Sequence, residues 1–356
     1  MSDLPYWLAL NRVSVLGARR ISQLITAYGS AQRAFTVEPG ELEQLGLPVK
    51  VSATFLRERG QINPQDEWQR CQRLGISILT LADEGYPQIL REIYDPPVVL
   101  YYRGDISCLS QFSVAIVGSR KATAYGRAAA EKFAGELASA GVVIISGLAR
   151  GIDSHAHLGA LQANGLTAAV LGSGLDICYP PENRALREKI VQSGVVISEF
   201  PPGAQPKPAH FPMRNRIISG LSQATIVVEA AEKSGALITA DCALEQGREV
   251  FAVPGSIHSP TSRGCHRLIK EGAAVAESAA DVLQYLGQNV LLETVAALEL
   301  TAVQALVISA LEYEPTHFDQ LIKATNLTAA ELSSVLVELE LAGFLQKLSG
   351  NFYLRV

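Results

Sequence analysis

Six short apolar runs constrain this chain more than any other feature: Val114–Val117, Val142–Ser146, Ala168–Leu171, Val195–Ser198, Ala224–Val228 and Glu249–Val253. Each is nearly unbroken in its apolar character, the pattern of a strand covered on both faces. Amphipathic segments such as Tyr125–Ala140, Pro181–Gln192 and Leu237–Gln246 lie between them, often closed by glycine. Strands that alternate with helices in this way predict an α/β fold, an extended Rossmann-like doubly wound sheet, over residues 66–286.

The flanks read differently. Residues 1–65 are expected to form a small all-helical domain, with Leu8-Ala9-Leu10 and Ile21, Leu24 and Ile25 at helical spacing and a helix starting at Arg19-Arg20. Residues 287–297 read as a linker. Residues 298–356 read as three helices (302–311, 318–324, 329–342) and a hairpin of 345–348 with 352–355, a winged helix-turn-helix. Thr328 with Glu331 predicts a capping box. This last unit holds three basic and seven acidic residues, and its third helix carries Glu331, Glu338 and Glu340 but no Lys or Arg. A winged helix that reads duplex DNA presents a basic helix, so protein contact is the expectation here.

With 356 residues, 48% hydrophobic and 18% charged, the chain can bury more than one core and is not a disordered segment. It has no run near 18 apolar residues, so no transmembrane span is expected, and no secretory signal is visible. Five scattered cysteines without a CxxC point to a reducing cytosol, no disulfide framework and no cysteine-based zinc site. A formal charge of −5 excludes adhesion to nucleic acid by bulk charge, so any such binding needs a local basic pocket.

Ligands of open α/β sheets sit beyond the C-terminal ends of the strands. The loops there read Gly118-Ser119-Arg120-Lys121, then Ser146-Gly147 running on to Arg150-Gly151, then Gly172-Ser173-Gly174, Glu199 to Gly203, and Glu229 with Lys233-Ser234-Gly235. Glycine and serine with free N–H groups near helix starts, plus cations, make an anion-binding rim suited to phosphate. Phe211-Pro212-Met213-Arg214-Asn215-Arg216 is expected to open a helix over Ile217–Leu221. Two arginines in a first turn would oppose the helix dipole by roughly 0.3–1 kcal/mol each, which a bound polyanion would explain. Phe211 beside them offers a face for a base. One of the two arginines is expected to pair with a carboxylate such as Glu199 or Glu229.

Enzyme signatures are missing: there is no G-x-G-x-x-G after the first strand, no P-loop and no G-x-S-x-G elbow. His155 and His157 are two apart on a helix and point away from each other, so a structural role is expected rather than a metal site. Asp153 and Asp176 are expected to fix loops.

The segments VAIVGSRKATAYGR, SGLARGIDSHAH, VLGSGLDICYPPENR, SEFPPG, HFPMRNRIISGLS, VVEAAEKSGALITADCALEQGREVFAVPGSI and GCHRLIKEGA together resemble the DNA processing protein A (DprA, Smf) family over residues 80–286. The resemblance implies a non-enzymatic single-stranded DNA-binding protein without cofactor or metal. Such a protein forms homodimers, protects incoming strands during natural transformation and helps load the recombinase RecA. By motif position it implies contacts from Gly118, Ser119 and Arg120, with Arg120 leading. Phe211, Arg214, Asn215 and Arg216 would follow, then Lys233, Ser234 and Gly235, with Ser146, Gly147, Gly172, Ser173 and Gly174 lining the rim. Lys207 is the nearest lysine before the FP motif.

Both readings place phosphates on N–H groups and arginines and a base on Phe211, with little sequence preference. The competing reading is a nucleotide-processing enzyme of phosphoribohydrolase type, using Glu199 or Glu229. A third is an adaptor whose acidic winged helix is the functional surface.

Overall fold

In a computed structural model, residues 3–288, 301–311, 315–341 and 344–355 are described. The strands, numbered along the chain, are β1 (Ser77–Thr80), β2 (Val99–Gly104), β3 (Ser113–Val117), β4 (Val143–Ser146), β5 (Thr167–Leu171), β6 (Val195–Ser198), β7 (Ala224–Val227), β8 (Glu249–Ala252), β9 (Ala274–Val275), β10 (Thr316–His317), β11 (Leu345–Leu348) and β12 (Phe352–Arg355). The first nine form one sheet in the order β1-β2-β6-β5-β4-β3-β7-β8-β9. From β6 to β9 neighbouring strands are parallel, while β2 joins β6, and β1 joins β2, antiparallel. All six apolar runs are strands of the parallel part. β3 to β5 are buried at every position, as strands covered by helices on both faces must be.

The chain winds from β3 through β4 and β5 to β6, then returns to place β7 on the other side of β3. That reversal opens a crevice at the C-terminal ends of β3 and β7, the topological switch point where such sheets take ligands. The helix Ala124–Ser139 follows β3, Ile152–Gln162 follows β4, His210–Gly220 precedes β7 and Gly235–Glu245 follows it.

The N-terminal helices are not a separate ball. Trp7, Leu8, Leu10, Leu24 and Phe55 share one core with Val99, Tyr101, Ala169, Leu171 and Val196 of the sheet. The expected boundary at 65 falls inside the helix Pro64–Arg73, which belongs with them. Asn11 Nδ2 donates to the Glu199 carbonyl at 3.0 Å and Arg12 Nη1 to that of Pro202 at 3.2 Å. The helical region thereby holds the loop after β6.

The C-terminal unit has its own core around Val307, Leu321, Leu336 and Tyr353. Its helices are Ala302–Ala310, Phe318–Thr325 and Ala329–Leu341, and β10, β12 and β11 form a three-stranded sheet. The capping box is present: Thr328 N–H donates to Glu331 at 2.9 Å and Glu331 N–H to Thr328 Oγ1 at 3.3 Å. The expected linker lies, from 289 onward, outside the described residues. No helix of the described residues is long and apolar enough to cross a membrane. Cys71, Cys108, Cys178, Cys242 and Cys265 are free thiols.

Candidate functional site

An open cleft of about 770 Å³ lies at the switch point. Of the expected residues, it gathers Gly118, Ser119, Arg120, Phe211, Arg214, Asn215, Lys233, Ser234 and Gly235, and adds Lys121. A narrow side recess continues it past Gly147, Gly172 and Ser173 to Arg150, Tyr179 and Phe211. Arg120, Lys121 and Lys233 are exposed, and no ion pair holds them among the described residues. Lys207 is exposed too, on the loop whose Pro206 and Pro208 line the cleft, though its own side chain is not part of the lining.

Buried bonds position the rim. Glu229, 2% exposed, accepts from Thr123 N–H at 2.9 Å, from Thr123 Oγ1 at 2.6 Å and from Thr261 Oγ1 at 3.1 Å. It therefore staples together the loops after β3, β7 and β8. Ile152 N–H donates to the Ser119 carbonyl at 3.2 Å and joins the β3 loop to the β4 loop. Asn215 Nδ2 donates to the Gly235 carbonyl at 3.2 Å and ties the helix His210–Gly220 to the start of the next helix. Lys121 N–H donates to Ser119 Oγ at 3.1 Å, while the N–H groups of Ser119 and Arg120 have no acceptor among the described residues.

Phe211 stands at the centre of the site. The Arg120 guanidinium lies 4.9 Å from its ring centroid, and the Tyr179 ring 5.7 Å away at 43°. Tyr179, 37% exposed, and Arg150, paired with Glu182, were not singled out as contacts from sequence. A lone tyrosine in a loop carries no pattern of its own, and only the fold brings it to Phe211. His210 was also missed: its ring stacks on Phe200 at 4.1 Å and its Nδ1 sits 3.2 Å from the Gly172 carbonyl.

Several expectations need correcting. The helix begins at His210, not Ile217, so Arg214 and Arg216 lie beyond the first turn and the dipole argument does not apply to them. Pro212 falls in that first turn, where its missing N–H has no helical acceptor to lose.

Arg216 does not face the cleft. Its Nε bonds Asp95 at 2.8 Å and its Nη2 bonds Glu199 at 2.6 Å, leaving the side chain 13% exposed. The expected pairing with Glu199 is therefore present, and it removes Arg216 from the set of available phosphate contacts. Arg214 lines the cleft but is only 3% exposed. It donates to the Gly147 carbonyl at 2.7 Å and to that of Val170, and burial lowers its pKa to about 10 against the pull of nearby Asp153.

The glycines and serines of the rim divide by role. Ser146 Oγ donates to the Ile116 carbonyl at 2.6 Å and is fully buried. Ser173 is buried and its carbonyl accepts from Ser198 Oγ at 2.7 Å. A Cβ on Gly147 would meet the Arg214 guanidinium at 2.6 Å, and one on Gly172 would meet Phe211 Cδ1 at 3.0 Å. Gly118 and Gly174 are likewise pressed by Ile152 and by Asp176 and Pro201. These glycines admit a neighbour; Gly235, with nothing within 4 Å, opens onto the cleft.

The carboxylates named for an enzyme are committed elsewhere. Glu199 is held by Arg216, Glu229 by the loop staple, and neither lines the cleft. Asp153 does line it, buried, with its pKa raised by burial. It accepts from Ala149 N–H at 3.3 Å, and Asp176 accepts from Gly203 N–H at 2.8 Å, so both carboxylates fix loops. His157 is buried against Thr167 at 2.6 Å, and the half-buried His155 contacts Glu131. No metal-binding cluster occurs among the described residues.

Residues 77–287 match the family described as DNA recombination-mediator protein A, and residues 293–351 match the DprA winged helix domain. The chain is 36% identical to Protein Smf of Synechocystis sp., with 99% of each aligned. It is 50% identical to DNA processing protein DprA of Streptococcus pneumoniae, over 57% of this chain and 72% of that one. Among solved structures, DNA processing protein A from Streptococcus pneumoniae superposes with a TM-score of 0.70 at 38% identity, covering 80% of this chain and 98% of that one. DNA processing protein A from Helicobacter pylori, solved to describe that protein's single-stranded DNA binding mode, gives 0.55 at 30%, covering 60% and 97%. By a match across more than half its length and by these relatives, the chain belongs to the DNA recombination-mediator protein A family.

Proposed function

We propose that the cleft binds single-stranded DNA, holding phosphates on Arg120, Lys121, Lys233 and the N–H groups of Ser119 and Arg120, with a base packed on Phe211. The observation that carries this reading is the pairing of uncommitted cations with a half-buried aromatic face at the switch point. A base can reach that face only if it is unstacked, which favours a single strand over a duplex. No base-edge reader stands out, so sequence preference is slight. The relative from Streptococcus pneumoniae, a DNA processing protein, and the one from Helicobacter pylori, with a described single-stranded DNA binding mode, support this reading, and the proposal places the activity in natural transformation and recombination. Binding without catalysis, homodimerisation, delivery of the strand to a RecA-type recombinase and a cytoplasmic location complete the proposal. The acidic third helix of the winged unit fits a protein partner better than DNA.

Fluorescence anisotropy with labelled oligo-dT and a duplex of equal length tests it. Tight single-strand binding, weak duplex binding and loss of affinity in Arg120→Ala are expected. Equal affinity for both forms, or an unaffected Arg120→Ala, would move the weight to a small nucleotide ligand. Turnover of nucleoside monophosphates by the purified protein would favour the enzyme reading.

A further inference from the structure

The helix His210–Gly220 has two functional sides. Phe211, Arg214, Asn215 and Ile218, at helical spacing, line the cleft. Arg216 points the other way and binds Asp95, and half-exposed Met213 offers Arg216 its carbonyl at 3.2 Å. Asp95 is also one wall of a second hollow of about 610 Å³, whose other walls are Gly17, Ala18, Arg19, Arg20 and Gln23 of the N-terminal helical region.

Beside this hollow stands Tyr94, 78% exposed, the most exposed aromatic side chain among the described residues. The Arg19 guanidinium lies 4.3 Å from its ring centroid and donates to its hydroxyl. Arg20 donates to the Val15 carbonyl at 2.8 Å. Neither arginine is in an ion pair among the described residues; Asp95, the acidic wall of the hollow, is paired with Arg216, which it shares with Glu199, so the two free arginines outweigh the charge it retains. An arginine laid on one face of an exposed aromatic ring, with the other face open to solvent, is the same device that Arg120 and Phe211 make in the cleft. The two pairs flank one helix, whose width with side chains is about 10–12 Å.

We infer that Arg19, Arg20 and Tyr94 form a second single-strand contact, taking phosphates on the arginines and a base on Tyr94, so that one strand leaves the cleft over Met213 and continues onto the N-terminal helical region. This rests on the reading that the cleft holds a single strand. It gives the N-terminal helices a part in the length of strand covered. A duplex fits poorly, because its stacked bases cannot reach the free face of Tyr94.

The test compares the full chain with Arg19→Ser/Arg20→Ser, Tyr94→Ala and Arg120→Ala, using oligo-dT of about six nucleotides, near the lower end of common single-strand site sizes, and of about twenty, beyond their upper end. The substituted side chains are exposed, and affinity for the short probe reports that the fold is intact. Arg19→Ser/Arg20→Ser and Tyr94→Ala are expected to weaken the long probe about tenfold and leave the short one unchanged. The salt slope for the long probe should fall by about 1.4 in the double-arginine variant. Arg120→Ala should weaken both probes. If it does while the N-terminal variants bind the long probe like wild type, the second contact is wrong and the cleft stands. A long duplex that loses affinity equally in the N-terminal variants also overturns the proposal. If Arg120→Ala leaves the short probe unaffected, the cleft reading itself falls, and this proposal with it.

Discussion

Salt dependence turns the geometry of the cleft into a number. Each phosphate neutralised on a single strand contributes about −0.7 to the slope of log K against log salt. Arg120, Lys121 and Lys233 are free cations in the lining and Lys207 is free on the adjacent loop, whereas Arg214 is buried on carbonyls and Arg216 is neutralised by two carboxylates. Three to four available cations give a slope of about −2 to −3 for a short oligonucleotide confined to the cleft. Raising salt from about 50 to about 200 mM should then weaken binding about 20- to 50-fold. Arg120→Ala should make the slope shallower by about 0.7, while Arg216→Met should leave it unchanged. Anisotropy titrations of a short oligo-dT across a salt series measure all three. A slope near −7, which implies about ten contacts, would refute the cleft account. So would an Arg120→Ala slope equal to that of wild type.

Three further outcomes follow from the buried bonds. Arg216→Met strands Glu199 without its partner; a loss of about 3 kcal/mol is expected in urea unfolding, the low end for a buried pair because Asp95 is partly solvated, and a loss below about 1 would contradict the assignment. Gly172→Ala puts a methyl 3.0 Å from Phe211 Cδ1; it should tilt the ring and weaken oligo-dT up to about tenfold with unfolding unchanged, whereas wild-type affinity would remove Phe211 from the site. His157 gives a pH dependence. Burial pushes its pKa down to about 3, while the unfolded chain takes up that proton near pH 6.5. The group's contribution is therefore complete above pH 6.5 and lost as pH falls, by up to about 1.4 kcal/mol per unit. Urea midpoints between pH 6.5 and 4.5 should fall less steeply in His157→Gln than in wild type, and equal steepness would refute the assignment.

The tautomer of His157 explains why it stays neutral. The Thr167 hydroxyl donates to the Ile144 carbonyl at 2.7 Å, so its oxygen accepts from Nδ1–H of His157. Nε2 is buried with no partner among the described residues, and the charge of Arg214 adds to the cost of a proton there. Protonating it would bury an unpaired charge.

What was legible in the sequence follows physical range. The parallel strands announce themselves because both faces are buried, so each is a continuous apolar run. β1 and β2 were not read as strands. Ser77–Thr80 and Val99–Gly104 sit at or next to the sheet edge, are partly exposed, and pair antiparallel across a separation the local pattern cannot show. The winged unit was legible because its turn and cap signals are local, as with Thr328 and Glu331. The helix before β7 starts seven residues earlier than expected, with Pro212 in its first turn, where a missing N–H costs no helical bond. The pairing of an arginine with Glu199 was legible, but which of the two arginines makes it depends on the fold, and so does the second partner of Arg216, Asp95, 121 residues away. The shared core of the N-terminal helices and the sheet was hidden for the same reason: Trp7 and Leu8 are apolar at helical spacing whichever surface they cover.

Photocrosslinking locates the bound strand on the protein. Labelled oligo-dT irradiated with the full chain, digested and mapped by mass spectrometry should give adducts at Phe211 or Tyr179, and Arg120→Ala should remove them. Adducts confined to residues 301–355, or cleft adducts that persist in Arg120→Ala, would contradict the account.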